Sequence, residues 1–400
     1  MSFQTLDEIA VKGRRVLLRV DLNVPVSNGA VTDTTRIERV RETILELADK
    51  GAKVILLAHF GRPKGKVMAE FSLGQILPAM DKVLGRKVHF ADDCIGAAAQ
   101  TAIAAMKNGD ILLLENTRFH AGEEKNDAAF ARALAENGDI YVNDAFSAAH
   151  RAHASTEGLA HILPAFAGRS MQKELEALEK GLGRPKHPVI ALVGGAKIST
   201  KIDLLNNLVA KVDALIIGGA MANTFLAAKG LSVGKSLCEH DLAATARSIM
   251  AKAEKENCAV ILPVDAVIAF HFEANAPTQD YGIDAVPADG MILDIGDQSV
   301  ERINAAIDEA ATLVWNGPLG AFEIPPFDKG TIAVAQRAAE RTRQGKLISI
   351  AGGGDTVAAL NHAHVARDFT YLSTAGGAFL EWMEGKPLPG VVALERTGGR

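Results

Sequence analysis

The sequence predicts an α/β protein with two Rossmann-like, doubly wound parallel-sheet lobes joined by a hinge helix. The chain has 400 residues, and a single hydrophobic core tends to split beyond about 300 residues. Of these residues 48% are hydrophobic and 23% are charged, which is the composition of an ordinary globular protein. Short β-branched or Leu-rich runs alternate with Ala-rich helical stretches, and this alternation is typical of βαβ units on a parallel sheet.

Five strands are predicted in each lobe. In the first lobe they begin the segments RVLLRVDLNVP, KVILLAHFGRP, KVHFADD, ILLLENTRFH and IYVNDAFSAAH. In the second lobe they begin VIALVGGAKIS, ALIIGGAMANTF, AVILPVD, TLVWNGPLGAF and LISIAGGGDTVAAL. Between the two sets lies RSMQKELEALEKGLGRPKHP, which carries Leu175 and Leu178 at helical spacing and ends in glycines and prolines. We interpret it as a helix that joins the lobes.

Composition restricts the partners and the compartment. The net charge of −5 provides no overall positive field for nucleic acid or an anionic membrane. Asp7 and Glu8 stand where a secretory signal would be apolar, and no run approaches the roughly 18 apolar residues of a membrane span. The three cysteines form no CxxC pair, which argues against a disulfide framework. We therefore expect a cytoplasmic protein without a nucleic-acid or membrane partner.

Basic side chains follow the predicted strands of the first lobe, where the ligand crevice of an open α/β sheet lies. They are Arg36, His59, Arg62, Arg118, His120, His150, Arg151 and His153. Asp21 and Asn23 stand beside them as short hydroxyl-binding groups. Because arginine binds carboxylate or phosphate through two parallel bonds, the expected ligand is a small molecule with more than one anionic group.

Two alternatives apply to these basic residues. Any single arginine can be a solvated surface charge, although this is a poor explanation for all four together. The HxxH spacing of His150 and His153 suggests a metal, but no acid or cysteine at ligand spacing completes a site.

Glycine-rich loops follow the predicted strands of the second lobe. Their glycines are Gly194, Gly195, Gly218, Gly219, Gly317, Gly320, Gly352, Gly353 and Gly354. Glycine lets backbone N–H groups approach phosphates, and a helix N-terminus adds a positive dipole end. Lys197 and Lys201 are spaced to lie on one helix face and to neutralise phosphate oxygens. These loops predict a nucleotide polyphosphate as ligand.

Asp355, directly after the last glycines, is placed to bind Mg²⁺. The alternative is a helix N-cap formed by Asp355 or Thr356. Standard nucleotide motifs are absent: KGLSVGKS has Lys229 where a P-loop needs its first glycine, and GLGRPK has Lys186 where GxGxxG needs its last. The protein-kinase motifs are also missing. The sequence therefore indicates a nucleotide site of another kind.

Seven motifs in order resemble the phosphoglycerate kinase family: RVDLNVP, HFGRP, ENTRFH, GGAKIST, WNGPLGAFE, GGGDT and the C-terminal LPGV. The resemblance runs nearly end to end. It implies reversible transfer of the acyl phosphate of 1,3-bisphosphoglycerate to Mg²⁺-ADP, giving 3-phosphoglycerate and ATP in glycolysis. We expect a monomer whose lobes close for in-line transfer, because the basic residues and the glycine loops lie in different lobes.

The resemblance assigns roles in the first lobe. Asp21 and Asn23 would hold the hydroxyl and carboxyl end of phosphoglycerate, and Arg36 would reach the transferring phosphoryl group. The phosphate of phosphoglycerate would be held by His59, Arg62, Arg118 and Arg151.

The resemblance also assigns roles in the second lobe. Lys197 and Lys201 would contact phosphates, Glu323 the ribose, and Asp355 the Mg²⁺ ion. The implied nucleotide-binding residues are Gly195, Lys201, Gly218, Gly219, Asn316, Glu323, Gly353, Gly354, Asp355 and Thr356. The implied catalytic residues are Arg36, Lys197, Lys201, Gly353 and Gly354. The chain departs from the family at Ala220 and Ala375, where a third glycine is frequent.

With the resemblance, the chain divides into five predicted parts. These are a phosphoglycerate-binding lobe (1–170), an interdomain helix (171–185), a nucleotide-binding lobe (186–373), a return crossing (374–387) and a tail that packs back on the first lobe (388–400). The attacking oxygen in either direction is already ionised, so no general base is required and positioning with charge neutralisation suffices. The alternatives are a nicotinamide-dependent dehydrogenase and a non-catalytic nucleotide-binding protein.

Overall fold

A computed structural model describes residues 3–395 of the chain. The chain forms two compact units, each built around a six-stranded sheet whose strands are all parallel. Of the described residues, the first unit holds those up to Leu175 together with those from Pro387 to Glu395, and the second runs from Glu176 to Lys386. The predicted α/β class with two parallel sheets is confirmed.

The first unit contains one parallel sheet and one short hairpin. Its strands are β1 (Arg15–Arg19), β2 (Val26–Ser27), β3 (Ala30–Val31), β4 (Lys53–Leu57), β5 (Val88–Ala91), β6 (Ile111–Leu114), β7 (Ile140–Asn143) and β8 (Ala165–Ala167). Its helices are α1 (Thr35–Asp49), α2 (Leu77–Leu84), α3 (Gly96–Ala105), α4 (Ala128–Ala135) and α5 (Arg169–Leu178), which continues into the second unit. The sheet has the order β5-β6-β4-β1-β7-β8, and β2 pairs with β3.

Burial explains these elements. Val16, Leu17 and Leu18 of β1 are all fully buried, as expected for a parallel strand that is covered on both faces. Helix α1 places Ile37, Val40 and further apolar residues at helical spacing, and these residues belong to the same core as the strands.

The second unit contains a parallel sheet and a three-stranded antiparallel sheet. Its strands are β9 (Val189–Val193), β10 (Ala214–Ile217), β11 (Ala259–Ile261), β12 (Asp265–Ala269), β13 (Thr278–Gly282), β14 (Met291–Ile295), β15 (Thr312–Asn316), β16 (Ile348–Gly352) and β17 (Tyr371–Ser373). Its helices are α6 (Ile202–Leu208), α7 (Ala220–Ala228), α8 (Ala243–Lys255), α9 (Asp297–Glu309), α10 (Lys329–Arg343), α11 (Gly354–His362) and α12 (Gly376–Met383). The orders are β11-β10-β9-β15-β16-β17 and β13-β12-β14.

The structure differs from the sequence prediction at several strands, the unpredicted β2–β3 hairpin among them. Each parallel sheet has a sixth, three-residue edge strand, β8 or β17, that the hydrophobic pattern did not indicate. The strand that begins AVILPVD is short, because β11 ends at Ile261, before Pro263, and Asp265 at the end of the segment already belongs to β12. The antiparallel sheet was also not predicted.

The chain between the two sheets and the end of the chain have local structure of their own. Helix α5 is followed by a π-helical turn, Glu179–Gly183. Near the other end, helix α13 (Pro389–Val392) belongs to the first unit. There the Gly390 N–H donates to the Ala149 carbonyl at 2.9 Å. Residues 396–400 of the predicted tail lie outside the described residues.

Within residues 3–395, no helix combines the length and apolar character that crossing a membrane requires.

Candidate active site

Four neighbouring strands of the first unit end beside one another. They are β6, β4, β1 and β7, which are adjacent in the sheet order. The chain changes direction across the sheet between β1 and β7, and ligands of open α/β sheets bind at the carboxyl ends beside such a switch point. The segments that follow these strands carry Arg118, His59 with Arg62, Asp21 with Asn23, and Ser147 with Arg151.

Asp21 lies at the switch point of the first sheet and gathers three donors. Its Oδ2 accepts a hydrogen bond from Ser147 Oγ at 2.5 Å and a charged bond from Arg36 Nη1, and its Oδ1 accepts the Asn23 N–H at 3.0 Å. Burial opposes ionisation of Asp21, but the positive charge of Arg36 and the hydrogen bonds from Ser147 and Arg36 outweigh it and hold the pKa of the carboxyl well below its usual range. Asp21 is therefore a fixed anion among cations.

Asn23 and Arg118 meet at the loop that follows β4. The Gly61 N–H donates to Asn23 Oδ1 at 2.9 Å, while the Gly61 carbonyl accepts Arg118 Nη1 at 2.8 Å. Arg118 is only 7% exposed, and its Nε lies 3.4 Å from Glu124 Oε1. Burial lowers the pKa of Arg118 from its ordinary value, although a guanidinium keeps its charge in proteins. One glycine thus ties two predicted ligand-binding side chains together.

His59 contacts Arg19, a residue that the sequence analysis missed. Arg19 lies in β1 and is 1% exposed, and its Nη2 lies 2.9 Å from His59 Nδ1. Arg19 lies inside an apolar strand, RVLLRV, whereas the candidate site residues were chosen from the segments that follow the strands. Its contacts with residues far along the chain could not be read from spacing.

A positive field surrounds this cluster. Burial, together with Arg118, Arg19, Arg151 and other cations, lowers the pKa of His153 to about 4. Arg62 and Arg151 are exposed, and Arg151 Nε donates to His150 Nε2 at 3.2 Å. A small anion would therefore meet both buried and exposed cations here.

The second unit builds its site at the equivalent switch point, between β9 and β15. Lys201 Nζ donates there to the Gly194 carbonyl at 2.6 Å and to the Asn316 Oδ1 at 2.7 Å. Burial lowers the pKa of Lys201 to about 8, although Asp355 favours its charged form. Asn316 is 6% exposed and also donates from Nδ2 to the Gly352 carbonyl at 2.8 Å. One ammonium thus joins the ends of both strands.

The expectation that Lys197 and Lys201 share a helix face is wrong. Lys197 has extended backbone angles (φ −136°, ψ 132°) before a short 3₁₀ turn. Lys201 comes after that turn and precedes α6. Lys197 is exposed, whereas the Lys201 ammonium is held among carbonyl oxygens.

Most predicted nucleotide-site glycines pack loops against one another. Gly219 has φ +67°, and a Cβ there would lie 2.6 Å from the Gly195 carbonyl oxygen. A Cβ on Gly218 would meet the Leu319 side chain at 2.3 Å, and one on Gly353 would meet Asn316 Nδ2 at 2.7 Å. At Gly354, in contrast, a Cβ would meet nothing within 4 Å. Close packing therefore explains Gly218, Gly219 and Gly353. Gly195 has φ +130° and would make only ordinary contacts with the Lys201 side chain, and Gly354 leaves open space.

Helix α11 begins directly at this open position. Gly353 is its N-cap residue, and no side chain makes a capping hydrogen bond. Thr356 instead accepts the Gly317 N–H at 2.7 Å. Asp355 is exposed in the first turn, and Glu323 is exposed in the segment between β15 and α10. Neither Asp355 nor Thr356 therefore acts as the helix N-cap.

Oxygen donors suited to Mg²⁺ are present at this helix end. Asp355 offers an exposed carboxylate that is not used for capping, and Mg²⁺ prefers one or two carboxylates together with substrate phosphates. The HxxH pair, His150 and His153, takes no part in a ligand cluster among residues 3–395. The group of metal-ligand type found in that range is Asp93, Cys94 and His120, where His120 Nε2 is already bonded to Asp93 Oδ1 at 2.7 Å.

Comparison with known proteins identifies the family. The model of the phosphoglycerate kinase family matches residues 6–386. The phosphoglycerate kinase of Brucella abortus is 70% identical over 396 residues, covering 99% of this chain and 100% of that protein. That of Bradyrhizobium diazoefficiens is 72% identical over 393 residues, covering 98% of each.

Solved structures agree with this result. The phosphoglycerate kinase structure from Coxiella burnetii has 43% identity and a TM-score of 0.92, and the match covers 98% of both chains. The Pyrococcus horikoshii structure has 29% identity and a TM-score of 0.80, also over 98% of both chains.

The fold, the site and these matches define a class: the chain is a kinase, a phosphotransferase with a carboxyl group as acceptor. It belongs to the phosphoglycerate kinase family, and its reaction is the reversible transfer of a phosphoryl group from 1,3-bisphosphoglycerate to ADP, giving 3-phosphoglycerate and ATP. A dehydrogenase or a non-catalytic nucleotide-binding protein is not supported.

Proposed function

We propose that the two units divide the substrates of this reaction. The first unit binds phosphoglycerate through its basic cluster, and the second binds ADP or ATP with Mg²⁺ through its glycine loops and Lys201. The observation that supports this division is the position of each set of residues. Each set lies at the carboxyl edge of its own sheet, beside the switch point.

In the first unit, the proposed roles follow from charge and shape. Arg62, Arg118 and Arg151 offer planar forks to the phosphate of phosphoglycerate, with His59 beside them. Asp21 and Asn23 offer oxygens and an amide to its hydroxyl and carboxyl end. Arg36 lies at the start of α1 and stays 43% exposed while paired with Asp21. It is the arginine proposed to reach the transferring phosphoryl group.

In the second unit, Lys201, Lys197 and the α11 N-terminus would neutralise the phosphates, and Glu323 would bind the ribose. Asp355 would hold Mg²⁺. When bound, this ion would offset the negative charge of the phosphates. Gly353 and Gly354 place backbone N–H groups at a helix N-terminus, where anions bind favourably.

The proposed mechanism needs no general base. The carboxylate of 3-phosphoglycerate and the terminal phosphate of ADP are both ionised at neutral pH, so neither must lose a proton before it attacks. The side chains therefore act by orienting the reactants and by stabilising negative charge. Arg36 and Lys197 are the exposed cations proposed to do this.

Transfer requires the reacting atoms to come within about 3–3.5 Å of each other. The two ligands are proposed to bind to different units, so a movement of the units has to bring them together. We propose that closure of the units achieves this and also excludes water from the acyl phosphate. Either ligand alone has little differential affinity for a closed state, so full closure should require both.

Small-angle X-ray scattering tests this proposal on the apo protein, on each binary complex and on the ternary complex. The radius of gyration should decrease fully only in the ternary complex. Full decrease with nucleotide alone, or no decrease with both ligands, would contradict it.

We further propose that the enzyme works as a monomer in the cytoplasm. Cys94, Cys238 and Cys258 are all free thiols, which suits a reducing compartment. Light scattering after size-exclusion chromatography tests the oligomeric state, and a mass other than that of one 42.2 kDa chain would contradict a monomer.

A further inference from the structure

A buried carboxylate lies in the first unit that the reaction does not use directly. Glu123 is 0% exposed and stands in the segment between β6 and α4. Its Oε2 accepts the Ser155 N–H at 3.0 Å, and its Oε1 accepts the Ser155 hydroxyl at 2.5 Å. A buried carboxylate is costly unless it is hydrogen-bonded, so these two bonds fix both residues relative to each other.

The hydroxyl of Ser155, fixed by Glu123, in turn orients the Arg19 side chain. A serine hydroxyl has one proton to donate, and here Glu123 accepts it. The oxygen of Ser155 therefore presents lone pairs, and one of them accepts Arg19 Nε at 2.9 Å. Arg19 is also held by a bond from Nη1 to the Val20 carbonyl. The guanidinium, which is 1% exposed, has a single orientation.

This orientation decides the protonation of His59. Arg19 Nη2 lies 2.9 Å from His59 Nδ1. A guanidinium can only donate, because it has no acceptor and does not deprotonate in proteins. His59 Nδ1 must therefore carry a lone pair, and the imidazole keeps its proton on Nε2.

We propose that Glu123 and Ser155 are positioning residues that act through Arg19 to hold His59 as a neutral imidazole with its N–H on Nε2. His59 then offers a neutral N–H, not an imidazolium, to an anionic ligand. The part of this proposal that concerns the ligand rests on the proposed binding of phosphoglycerate by His59. The part that concerns the tautomer does not.

The charged groups around His59 support this state. Arg19, Arg118 and His153 oppose a positive charge on His59, whereas Asp21 favours one. Burial acts in the same direction as the cations, and together they lower the pKa of His59 well below its usual range. The donor strength of His59 should therefore stay constant across physiological pH.

The first test is ¹⁵N NMR of the histidine side chains in the ligand-free, full-length protein, with the His59 signals assigned through His59→Gln. We expect the Nε2–H tautomer and no titration between pH 8 and about 5.5. An Nδ1–H tautomer, or protonation within this range, would overturn the proposal. Because no ligand is present, this result stands whether or not His59 binds phosphoglycerate.

The second test removes the link between Glu123 and Arg19. In Ser155→Ala, Arg19 Nε loses its acceptor, so His59 should exchange between tautomers and the KM for 3-phosphoglycerate should rise about tenfold. The KM for ATP should not change. Arg19→Lys, which loses the planar fork, should change the His59 signals in the same way and serves if Ser155→Ala is unstable.

Thr43→Ala is the matched control, because Thr43 is another fully buried hydroxyl of the first unit and accepts the Arg169 N–H at 2.9 Å. It should lower the melting temperature and leave the His59 signals unchanged. If Ser155→Ala and Arg19→Lys also leave the His59 signals and the KM for 3-phosphoglycerate unchanged, the proposal is wrong.

Discussion

In the first unit, charged side chains occupy the carboxyl edge of the sheet and are held there by other side chains. In the second unit, the same edge consists of glycine backbone packed loop against loop around Lys201. A small anion with few atoms needs guanidinium groups that point at it, whereas a polyphosphate can be held by backbone N–H groups and a helix N-terminus. Under the proposed division of the substrates, similar sheets would support two kinds of anion recognition.

The strand orders account for part of this difference. Counted along the chain within each sheet, the second sheet has the order 3-2-1-4-5-6 of a dinucleotide-binding fold. In the first sheet β6, the fourth strand, is inserted between β4 and β5. This insertion brings the segment after β6, with Arg118, beside the segment after β4, where Arg118 bonds to Gly61. The basic cluster therefore depends on one additional neighbouring strand.

Arg36→Ala should have the largest effect. Arg36 is proposed to contact the migrating phosphoryl group, and arginines of this kind contribute roughly 10³- to 10⁵-fold to turnover. The affinity of the Arg36→Ala variant for nucleotide should not change, because the residues proposed to bind nucleotide belong to the second unit. Arg41→Ala on the same helix is the control, since Arg41 is exposed and its Nε donates to the Val83 carbonyl at the surface. Steady-state kinetics with near-normal turnover in Arg36→Ala would exclude a catalytic role.

The pH dependence of nucleotide binding should show whether the charged form of Lys201, the buried cation of the second unit, binds phosphate. The pKa of Lys201 is lowered to about 8, so its charge is present below this pH and is lost above it. If the charged form binds phosphate, ADP affinity should fall about tenfold for each pH unit above 8. Calorimetry from pH 7 to 9.5 measures this, and Lys201→Arg, which stays charged, should bind equally across the range. A flat profile for the wild-type enzyme would contradict the assignment.

Asp355→Asn tests whether the carboxylate binds Mg²⁺. The free Mg²⁺ needed for half-maximal activity should rise about tenfold. The melting temperature should not change, because Asp355 makes no capping bond. Titration of activity with Mg²⁺ and differential scanning fluorimetry provide both values. An unaltered Mg²⁺ requirement with a lower melting temperature would favour a structural role.

Gly354→Ala tests whether phosphate approaches the backbone at this glycine, and Gly219→Ala tests whether a glycine is needed for packing. Gly354→Ala should have the smallest effect on activity of all these variants. A methyl on Gly354 meets no atom within 4 Å, so the stability of the protein should not fall. The methyl would occupy the space where phosphate is proposed to approach, so ADP binding should weaken a few-fold. At Gly219 the positive φ and the Gly195 carbonyl at 2.6 Å should lower the melting temperature. Unchanged ADP binding in Gly354→Ala would show that phosphate does not approach this backbone.

The sequence predicted the features that arise from local pattern. The βαβ alternation and the post-strand positions of Asp21, His59 and Arg118 can be read within a few residues. The edge strands β8 (AFA) and β17 (YLS) contain no β-branched residue, so the hydrophobic pattern did not indicate them. Arg19 was missed because its partner Ser155 lies 136 residues away, and no spacing rule reaches that far. The packing role of Gly219 was missed for the same reason, since the loop that it contacts belongs to another strand.

The division of the substrates is the central claim, and isothermal titration calorimetry with two matched variants tests it most directly. Arg62→Met removes an exposed cation of the first unit, and Lys201→Met removes the buried cation of the second. Losing one charge-assisted hydrogen bond costs roughly 10- to 100-fold in affinity. Arg62→Met should therefore weaken 3-phosphoglycerate by this factor and leave Mg²⁺-ADP unchanged, and Lys201→Met should do the reverse. A variant that weakens both ligands equally, or only the other unit's ligand, would contradict the claim.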